Sequence, residues 1–136
     1  MADINRIKDE IAQDEVAQAV PINQKNGEPY LAPDGEPCTV SVLGSDAKRV
    51  QAARDTIQRR MLRARRVKLD PADLRANRID LAAAAVTGWY GWTAGDVEFP
   101  CTPENIRALL SSEHVLEQVE TGITGHADFF VTASPS

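Results

Sequence analysis

The 136-residue chain is poor in three features that mark common protein classes: cysteine pairs, long apolar runs and catalytic motifs. Its two cysteines, Cys38 and Cys101, form no Cys-x-x-Cys pair, which argues against a zinc ribbon or a disulfide-rich secreted scaffold. The longest apolar run, residues 81–86, is too short to cross a membrane. The N-terminus shows no apolar stretch, so no signal peptide is predicted and a reduced, cytoplasmic, non-membrane protein is expected.

Motifs for catalysis and metal binding are missing from the sequence. His114 and His126 show no metal-ligand spacing, and we interpret both as surface residues near helix ends. The chain contains no Gly-x-Ser-x-Gly, Gly-x-Gly-x-x-Gly or Walker motif, and the sequence places no general base beside a cysteine. We therefore predict that the protein is not an enzyme and needs neither a metal nor a cofactor.

Charged residues are abundant and strongly segregated along the chain. The formal net charge of −5 divides into −5 over residues 1–44, +7 over residues 45–68 and −7 over residues 69–136. The basic segment could bind nucleic acid, but no aromatic residue lies between its arginines and no helix-turn-helix spacing is clear. Pairing with acidic protein surfaces is the favoured interpretation. We predict acidic partners, from the same chain or a neighbouring one, for four arginines: Arg59, Arg60, Arg63 and Arg66.

The first third of the chain combines a predicted helix with a predicted hairpin. Isoleucine and valine at helical spacing predict a helix over residues 3–20, with Asp3 as its N-cap and Pro21 at its end. A turn at residues 33–36 and the alternating pattern over residues 38–43 predict a β-hairpin over about 28–43. No internal repeat of fixed period is expected.

The remaining elements are predicted to be helical. Ser45 is expected to cap a helix over about 46–66, and Asp70-Pro71 to begin one that ends near Val86. Thr102-Pro103 begins another helix, and Ser111 or Ser112 caps a last one over 113–121. Phe129 and Phe130 are expected to anchor a final turn before a frayed tail at 132–136.

These elements define the predicted fold class. We expect an α+β, mainly α protein with four or five helices and one β-hairpin in its N-terminal half. A single domain is predicted over residues 21–131, with the helix at 1–20 as an appendage. Aromatic residues form only 5% of the chain, so the core is built mainly from Ala, Val, Leu and Ile.

The few aromatic residues concentrate in one segment. Trp89, Tyr90 and Trp92 fall within four residues, in a stretch at 87–100 that we interpret as a turn between helices. Rings in such positions usually fill a small core, but tryptophan and tyrosine are also common at binding hot spots. Together with the four arginines, the candidate partner-binding residues are Trp89, Tyr90, Trp92 and Phe99.

A sequence of motifs runs through the second half of the chain. An alanine-rich helix ends in Thr87-Gly88-Trp89, Gly91-Trp92 follows, and a short loop holds Gly95 and Phe99. After the loop come Thr102-Pro103-Glu104-Asn105, Ala108-Leu109-Leu110 and Glu117-Gln118-Val119. This arrangement resembles the C-terminal part of tail assembly chaperones of long-tailed bacteriophages. The hairpin with Gly35 and the arginine-rich helix after Ser45-Asp46 are similar to the N-terminal half of the same family. The resemblance covers about 28–130 and leaves out the first helix.

The resemblance implies a non-catalytic protein that works in the cytoplasm of the infected bacterium. It would bind the helical tape measure protein, keep it soluble, help to recruit tail tube protein and associate with itself. Two alternatives stay open. One is a structural tail or head-completion protein that remains in the virion, and the other is a small nucleic-acid-binding regulator that uses residues 45–68.

Overall fold

The computed structural model describes residues 3–64 and 70–126 and confirms an α+β, mainly α fold. Within these residues it has five helices, a three-stranded antiparallel sheet and a two-stranded ribbon. The elements are α1 (Ile4–Asp14), β1 (Gln18–Pro21), β2 (Thr39–Val42), α2 (Lys48–Ala64), α3 (Pro71–Ala85), β3 (Val86–Tyr90), β4 (Thr93–Ala94), β5 (Val97–Glu98), α4 (Pro103–Leu110) and α5 (Glu113–Thr124).

Strand β2 is the centre of the sheet, whose order is β1-β2-β3. Val40 of β2 lies opposite Val20 of β1 on one side and Trp89 of β3 on the other. Because successive side chains of a strand point to opposite faces, Val40 and Val42 both enter the core, where they are buried. The predicted alternation of β2 therefore sets which face of the sheet is covered.

The hairpin of the N-terminal half has different bounds from those predicted. Its strands are β1 and β2, so the predicted range 28–43 contains only the second strand. Residues 22–38 connect the two strands through two isolated bridges, Asn23 with Pro29 and Leu31 with Pro37. A proline has no backbone N–H, so a segment with prolines at 29, 33 and 37 cannot supply a continuous ladder partner to β2.

The predicted helix over 3–20 is too long. Helix α1 ends at Asp14, and residues 18–20 belong to β1. Asp3 is the N-cap, as predicted, and its carboxylate accepts the Asn5 N–H at 3.0 Å. Val20 is buried where β1 pairs with β2, and this tertiary contact outweighs the helical spacing of the apolar residues.

The stretch at 87–100 is also more regular than the turn we predicted. Helix α3 passes directly into β3 at Val86, and β4 and β5 form a short antiparallel ribbon. Thr87, Trp89 and Tyr90 are residue types that favour strands, and β2 provides the partner that allows β3 to form. Both tryptophans therefore lie at one end of a sheet.

Helix α3 packs against three other helices, α2, α4 and α5. Ala82 and Ala85 of α3 are buried in the core beside Val50 of α2, Leu110 of α4 and Leu116 of α5. Their small side chains permit the close approach that the alanine-rich run predicted. None of the helices in the described parts of the chain combines the length and apolar character needed to cross a membrane.

Local capping signals locate three helices well. Asp70 accepts the Asp73 N–H at 2.9 Å, and Thr102 accepts the Asn105 N–H at 3.3 Å, as their sequences predict. Ser112 is the N-cap of α5, although its side chain makes no capping hydrogen bond, and this helix extends to Thr124 rather than residue 121. Several predictions lie outside the described residues: those for Arg66, Phe129, Phe130 and the tail at 132–136.

The start of α2 is capped by the end of α1 rather than by the predicted Ser45. The Asp46 N–H donates to Asp14 Oδ2 at 2.8 Å, and the Lys48 N–H donates to Glu15 Oε1 at 2.6 Å. The Gly44 N–H donates to the Asp14 carbonyl at 2.8 Å. A Cβ on Gly44 would come within 2.3 Å of the Asp14 carboxyl carbon, so glycine is required for this approach. Glu15 thus satisfies the first open backbone donor of α2, and Asp14 completes the cap by holding the turn that leads into the helix.

The capping role of Asp14 can be tested by substitution. We expect Asp14→Ala to lower the free energy of unfolding by about 1–2 kcal/mol, because the loss of a helix cap typically costs this much. Urea denaturation followed by far-ultraviolet circular dichroism measures the change. Asp9→Ala is the matched control, since Asp9 is exposed on the same helix. Equal stability of the two variants would contradict the capping role.

Candidate functional site

Two similar turns follow one another in the connection between β1 and β2. Their sequences are Asn-Gly-Glu-Pro at 26–29 and Asp-Gly-Glu-Pro at 34–37, so the pattern repeats after eight residues. Both glycines have positive φ, 89° and 88°, which glycine adopts without strain. In each turn the side chain before the glycine accepts the glutamate N–H, at 3.0 Å for Asn26 and 2.9 Å for Asp34. The expectation that the chain has no internal repeat is therefore wrong at this short scale.

Backbone hydrogen bonds hold the two turns together at their bases. Ile22 N–H donates to the Cys38 carbonyl at 3.2 Å, Tyr30 N–H donates to the Ile22 carbonyl at 3.2 Å, and Cys38 N–H donates to the Tyr30 carbonyl at 2.8 Å. These three residues are spaced by eight and form a closed triangle of bonds. The triangle fixes the second turn close to the end of β3.

A cleft of about 380 Å³ lies between this second turn, the end of β3 and the β4–β5 ribbon. All four aromatic residues proposed from the sequence line it, and we call it the aromatic cleft. Its lining residues are Ala32, Pro33, Asp34, Trp89, Tyr90, Gly91, Trp92, Thr93, Asp96, Glu98 and Phe99. The structure thus brings together the rings that are spread over residues 89–99.

The two indole rings are held in place by ring contacts and by hydrogen bonds to the backbone. Trp89 stacks on Phe99 with ring centroids 5.6 Å apart, and its Nε1–H donates to the Phe99 carbonyl at 2.8 Å. Trp92 lies 5.5 Å from the Tyr30 ring, and its Nε1–H donates to the Thr39 carbonyl at 3.1 Å. Both rings are half-buried and pack against the core, so each has a structural role and also lines the cleft.

Tyr90 closes one side of the aromatic cleft. Its hydroxyl donates a hydrogen bond to Asp34 Oδ2, which connects β3 to the second turn. This bond, together with the bond from the Glu36 N–H, holds the pKa of Asp34 below its ordinary value of 3.8. The same contact raises the pKa of Tyr90 above its ordinary value. Asp34 therefore stays ionised at neutral pH.

Gly91 allows the second turn to reach β3. Its φ is 89°, and a Cβ there would lie 2.6 Å from Ala32 Cβ and 3.1 Å from Cys38 Sγ. The Cys38 thiol donates to the Gly91 carbonyl at 3.3 Å. Any larger residue at position 91 would be strained and would also separate the two walls of the cleft.

The structure gives the environments of the two cysteines and the two histidines. Burial raises the pKa of both Cys38 and Cys101, which disfavours the reactive thiolate. His126 is buried rather than on the surface as predicted, with Nε2 2.7 Å from the Val16 carbonyl oxygen. His114 Nε2 contacts the Asn23 carbonyl. Among the described residues, no three His, Cys, Asp or Glu side chains lie in an arrangement that could hold a metal ion.

The predicted arginines form a second surface, the basic groove, which is lined by Thr56, Arg59, Arg60 and Arg63. Arg60 has the acidic partner that we predicted, because its guanidinium donates to Asp80 Oδ2 at 2.9 Å and to Asn77 at 2.7 Å. Neither Arg59 nor Arg63 forms an ion pair with any residue in the described ranges. The groove therefore contains one arginine that is paired with a carboxylate and two that form no ion pair within the described residues.

Asp80 links α2 to α4 through two arginines. Arg107 donates to its Oδ1 at 2.5 Å, while Arg60 occupies Oδ2. Burial alone raises the pKa of Asp80, but these two bonds outweigh it and hold the value below the ordinary one. Asp80 thus remains an anion in a half-buried position.

A further ion-pair network that the sequence did not reveal connects α3 to α5. Arg78 forms a bidentate pair with Glu120, at 2.5 and 3.0 Å, and donates to Glu113 at 2.8 Å. Arg75 also donates to Glu113, at 2.6 Å. The Arg78 contact lowers the pKa of Glu113 and the two glutamates raise that of Arg78. The three-residue spacing of Arg75 and Arg78 places both on one face of α3, inside an otherwise acidic segment. This spacing could have predicted the network from the sequence.

Comparison of the chain with protein-family models, with curated proteins and with solved structures gave no match.

The bond between Tyr90 and Asp34 predicts a pH-dependent stability. Because the pKa of Asp34 is lowered on folding, this stabilisation is present above pH 3.8 and is lost as the pH falls through the lowered value. We expect Tyr90→Phe to be less stable than the parent near neutral pH, with the difference shrinking under acid conditions. Urea unfolding at a series of pH values measures this.

Tyr30→Phe is the matched control for this experiment, because no hydrogen bond of its hydroxyl exists within the described ranges. A difference between Tyr90→Phe and the parent that stays constant from neutral to acid pH would contradict the assignment.

The two kinds of arginine in the basic groove should respond differently to truncation. We expect Arg60→Ala to lower the free energy of unfolding by about 0.5–1 kcal/mol, as for a partly exposed ion pair with good geometry. Arg63→Ala, on the same helix, should leave it unchanged. Thermal and urea unfolding of both variants measure the difference, and a larger loss for Arg63→Ala would refute the pairing scheme.

Proposed function

We propose that the protein is a non-catalytic tail assembly chaperone of a long-tailed bacteriophage. In this role it works in the bacterial cytoplasm, binds the helical tape measure protein, keeps it soluble and helps to recruit tail tube protein. The motifs behind the resemblance support this proposal, since Trp89 and Gly91-Trp92 lie together at the aromatic cleft and Thr102-Pro103 begins α4.

One observation carries the proposal: the apolar face of α1 is exposed. Ile4, Ile7 and Ile11 are 60%, 42% and 44% exposed, and no residue of this helix is buried. Their spacing of three and four residues is that of the seam of a coiled coil, which packs against an apolar stripe of another helix. A long helical client offers such a stripe, and covering both stripes removes apolar surface from water.

The chemistry of the described residues supports a binding role over a catalytic one. Both thiols are disfavoured as nucleophiles by their raised pKa values. The shortest ion pairs of the described residues, Arg78 with Glu120 and Arg107 with Asp80, join helices to each other rather than facing the aromatic cleft. Exposed side chains of the described ranges include the isoleucines of α1 and two arginines, Arg59 and Arg63, that form no ion pair there. Arginine and apolar side chains are common in protein interfaces.

The proposal is tested by co-expression with the tape measure protein of the same phage in a bacterial host. We expect the tape measure protein to become soluble and to co-purify with the chain. A triple variant, Ile4→Ser, Ile7→Ser and Ile11→Ser, should abolish this effect without unfolding the protein, because these side chains are exposed. Soluble yield and co-purified mass are the measurements.

A control for this experiment removes exposed apolar side chains elsewhere. Leu62→Ser with Leu74→Ser changes two residues that are 76% and 49% exposed, on α2 and α3, and should keep chaperone activity. Recovery of the chain from purified virions in stoichiometric amounts, with no effect on the tape measure protein, would instead favour a structural tail or head-completion protein.

A further inference from the structure

We propose that the aromatic cleft binds an arginine side chain of a partner protein. This inference does not depend on the assignment as a tail assembly chaperone, since only the chemistry of the cleft enters it.

The walls of the cleft are aromatic and partly open to solvent. Tyr90 is 49% exposed, and Trp89 and Trp92 are half-buried. A cation above an aromatic ring is attracted by the negative face of the ring, and tryptophan is the most effective partner. A planar guanidinium also stacks on such rings, which an ammonium group cannot do.

The rim of the cleft carries three carboxylates, those of Asp34, Asp96 and Glu98. No lysine or arginine of the described ranges pairs with any of them. Asp34 is kept ionised by Tyr90, and the other two carboxylates belong to the β4–β5 ribbon and are exposed. Three anionic groups therefore line one small volume, and no cation of residues 3–64 or 70–126 pairs with them.

The carboxylates between the helices, unlike those of the cleft, are paired with arginines. Asp80, Glu113 and Glu120 each accept hydrogen bonds from one or two arginines. Among the described residues, the carboxylates that join α3 to its neighbours are therefore paired with arginines, whereas those of the cleft form no ion pair. Charge complementarity selects a cationic occupant, and aromatic walls with carboxylate acceptors suit a guanidinium in particular.

The cleft is organised before any partner binds. Hydrogen bonds fix both indole rings, the Tyr90 hydroxyl ties the second turn to β3, and Gly91 lets the turn approach. A rigid site loses little conformational entropy on binding, so a single side chain can be recognised.

The test uses the intrinsic fluorescence of the intact chain. Both of its tryptophans line the cleft, so selectively excited tryptophan emission responds to occupation of this site. The probe is the peptide acetyl-Gly-Arg-Gly-amide, and the matched probe replaces arginine with citrulline, which has nearly the same shape but no charge. We expect saturable binding of the arginine peptide and binding of the citrulline peptide that is about tenfold weaker.

Two variants locate the interaction. Asp96→Asn with Glu98→Gln changes exposed residues whose side chains make no hydrogen bonds or ion pairs in the described ranges, and should weaken binding of the arginine peptide about tenfold. Asp9→Asn with Glu28→Gln removes the same charge outside the cleft and should bind like the parent. Absence of a fluorescence change, equal binding of both peptides, or equal binding by the two double variants would overturn the proposal.

The same variants decide whether the occupant is a second copy of the chain. Sedimentation velocity of the parent and of the Asp96→Asn, Glu98→Gln variant compares their self-association. Self-association of the parent that is lost in this variant would assign the cleft to an arginine of another copy and overturn the assignment to a different protein. Equal sedimentation of the two proteins supports the assignment as stated.

Discussion

The structure depends on the pairing of β2 with a neighbour on each side. Val40 and Val42 lie at the centre of the core, and the aromatic cleft and the α1 face are each attached to one of the two flanking strands. Strand β1 follows α1, so its position places Asp14 where it can cap α2. Strand β3 continues α3 and carries the tryptophans to the end of the sheet. A change that weakens β2 would therefore disturb the helices and the aromatic cleft together.

Charged side chains are paired between the helices, whereas several on the surface form no ion pair among the described residues. Between the helices, arginines from α2, α3 and α4 meet carboxylates at hydrogen-bonding distance, and each such pair orients one helix against the next. Within the described parts of the chain, the carboxylates of the cleft form no ion pair, and neither do Arg59 and Arg63 of the basic groove. Paired charges add little affinity for another protein, whereas unpaired ones attract an oppositely charged surface and set its orientation.

Local signals were enough to predict the elements whose ends are fixed by nearby residues. Asp70 and Thr102 cap α3 and α4 through bonds to residues three positions away, and the alternation of β2 needs no partner to be recognised. The strand character of residues 18–20 and the capping by Asp14 depend instead on contacts with residues some twenty to thirty positions away. For the candidate site, the sequence indicated the rings, and the eight-residue repeat could have indicated the turn opposite them. The sequence could not show that Asp34, Asp96 and Glu98 line the same cleft as the rings. That depends on how the second turn folds back onto the end of β3, a contact between residues far apart in the chain.

The aromatic cleft and the attachment point of α1 lie at opposite ends of β2. Trp92 of the aromatic cleft donates to Thr39 at its first residue, whereas the end of α1 is bonded to Gly44, just beyond its last. The strand alone separates these points by about 10 Å, since each residue of a strand adds about 3.4 Å. A partner on the isoleucine face of α1 therefore need not block a side chain that enters the cleft. A domain of this size can then contact two proteins at once, as the proposed chaperone role would require.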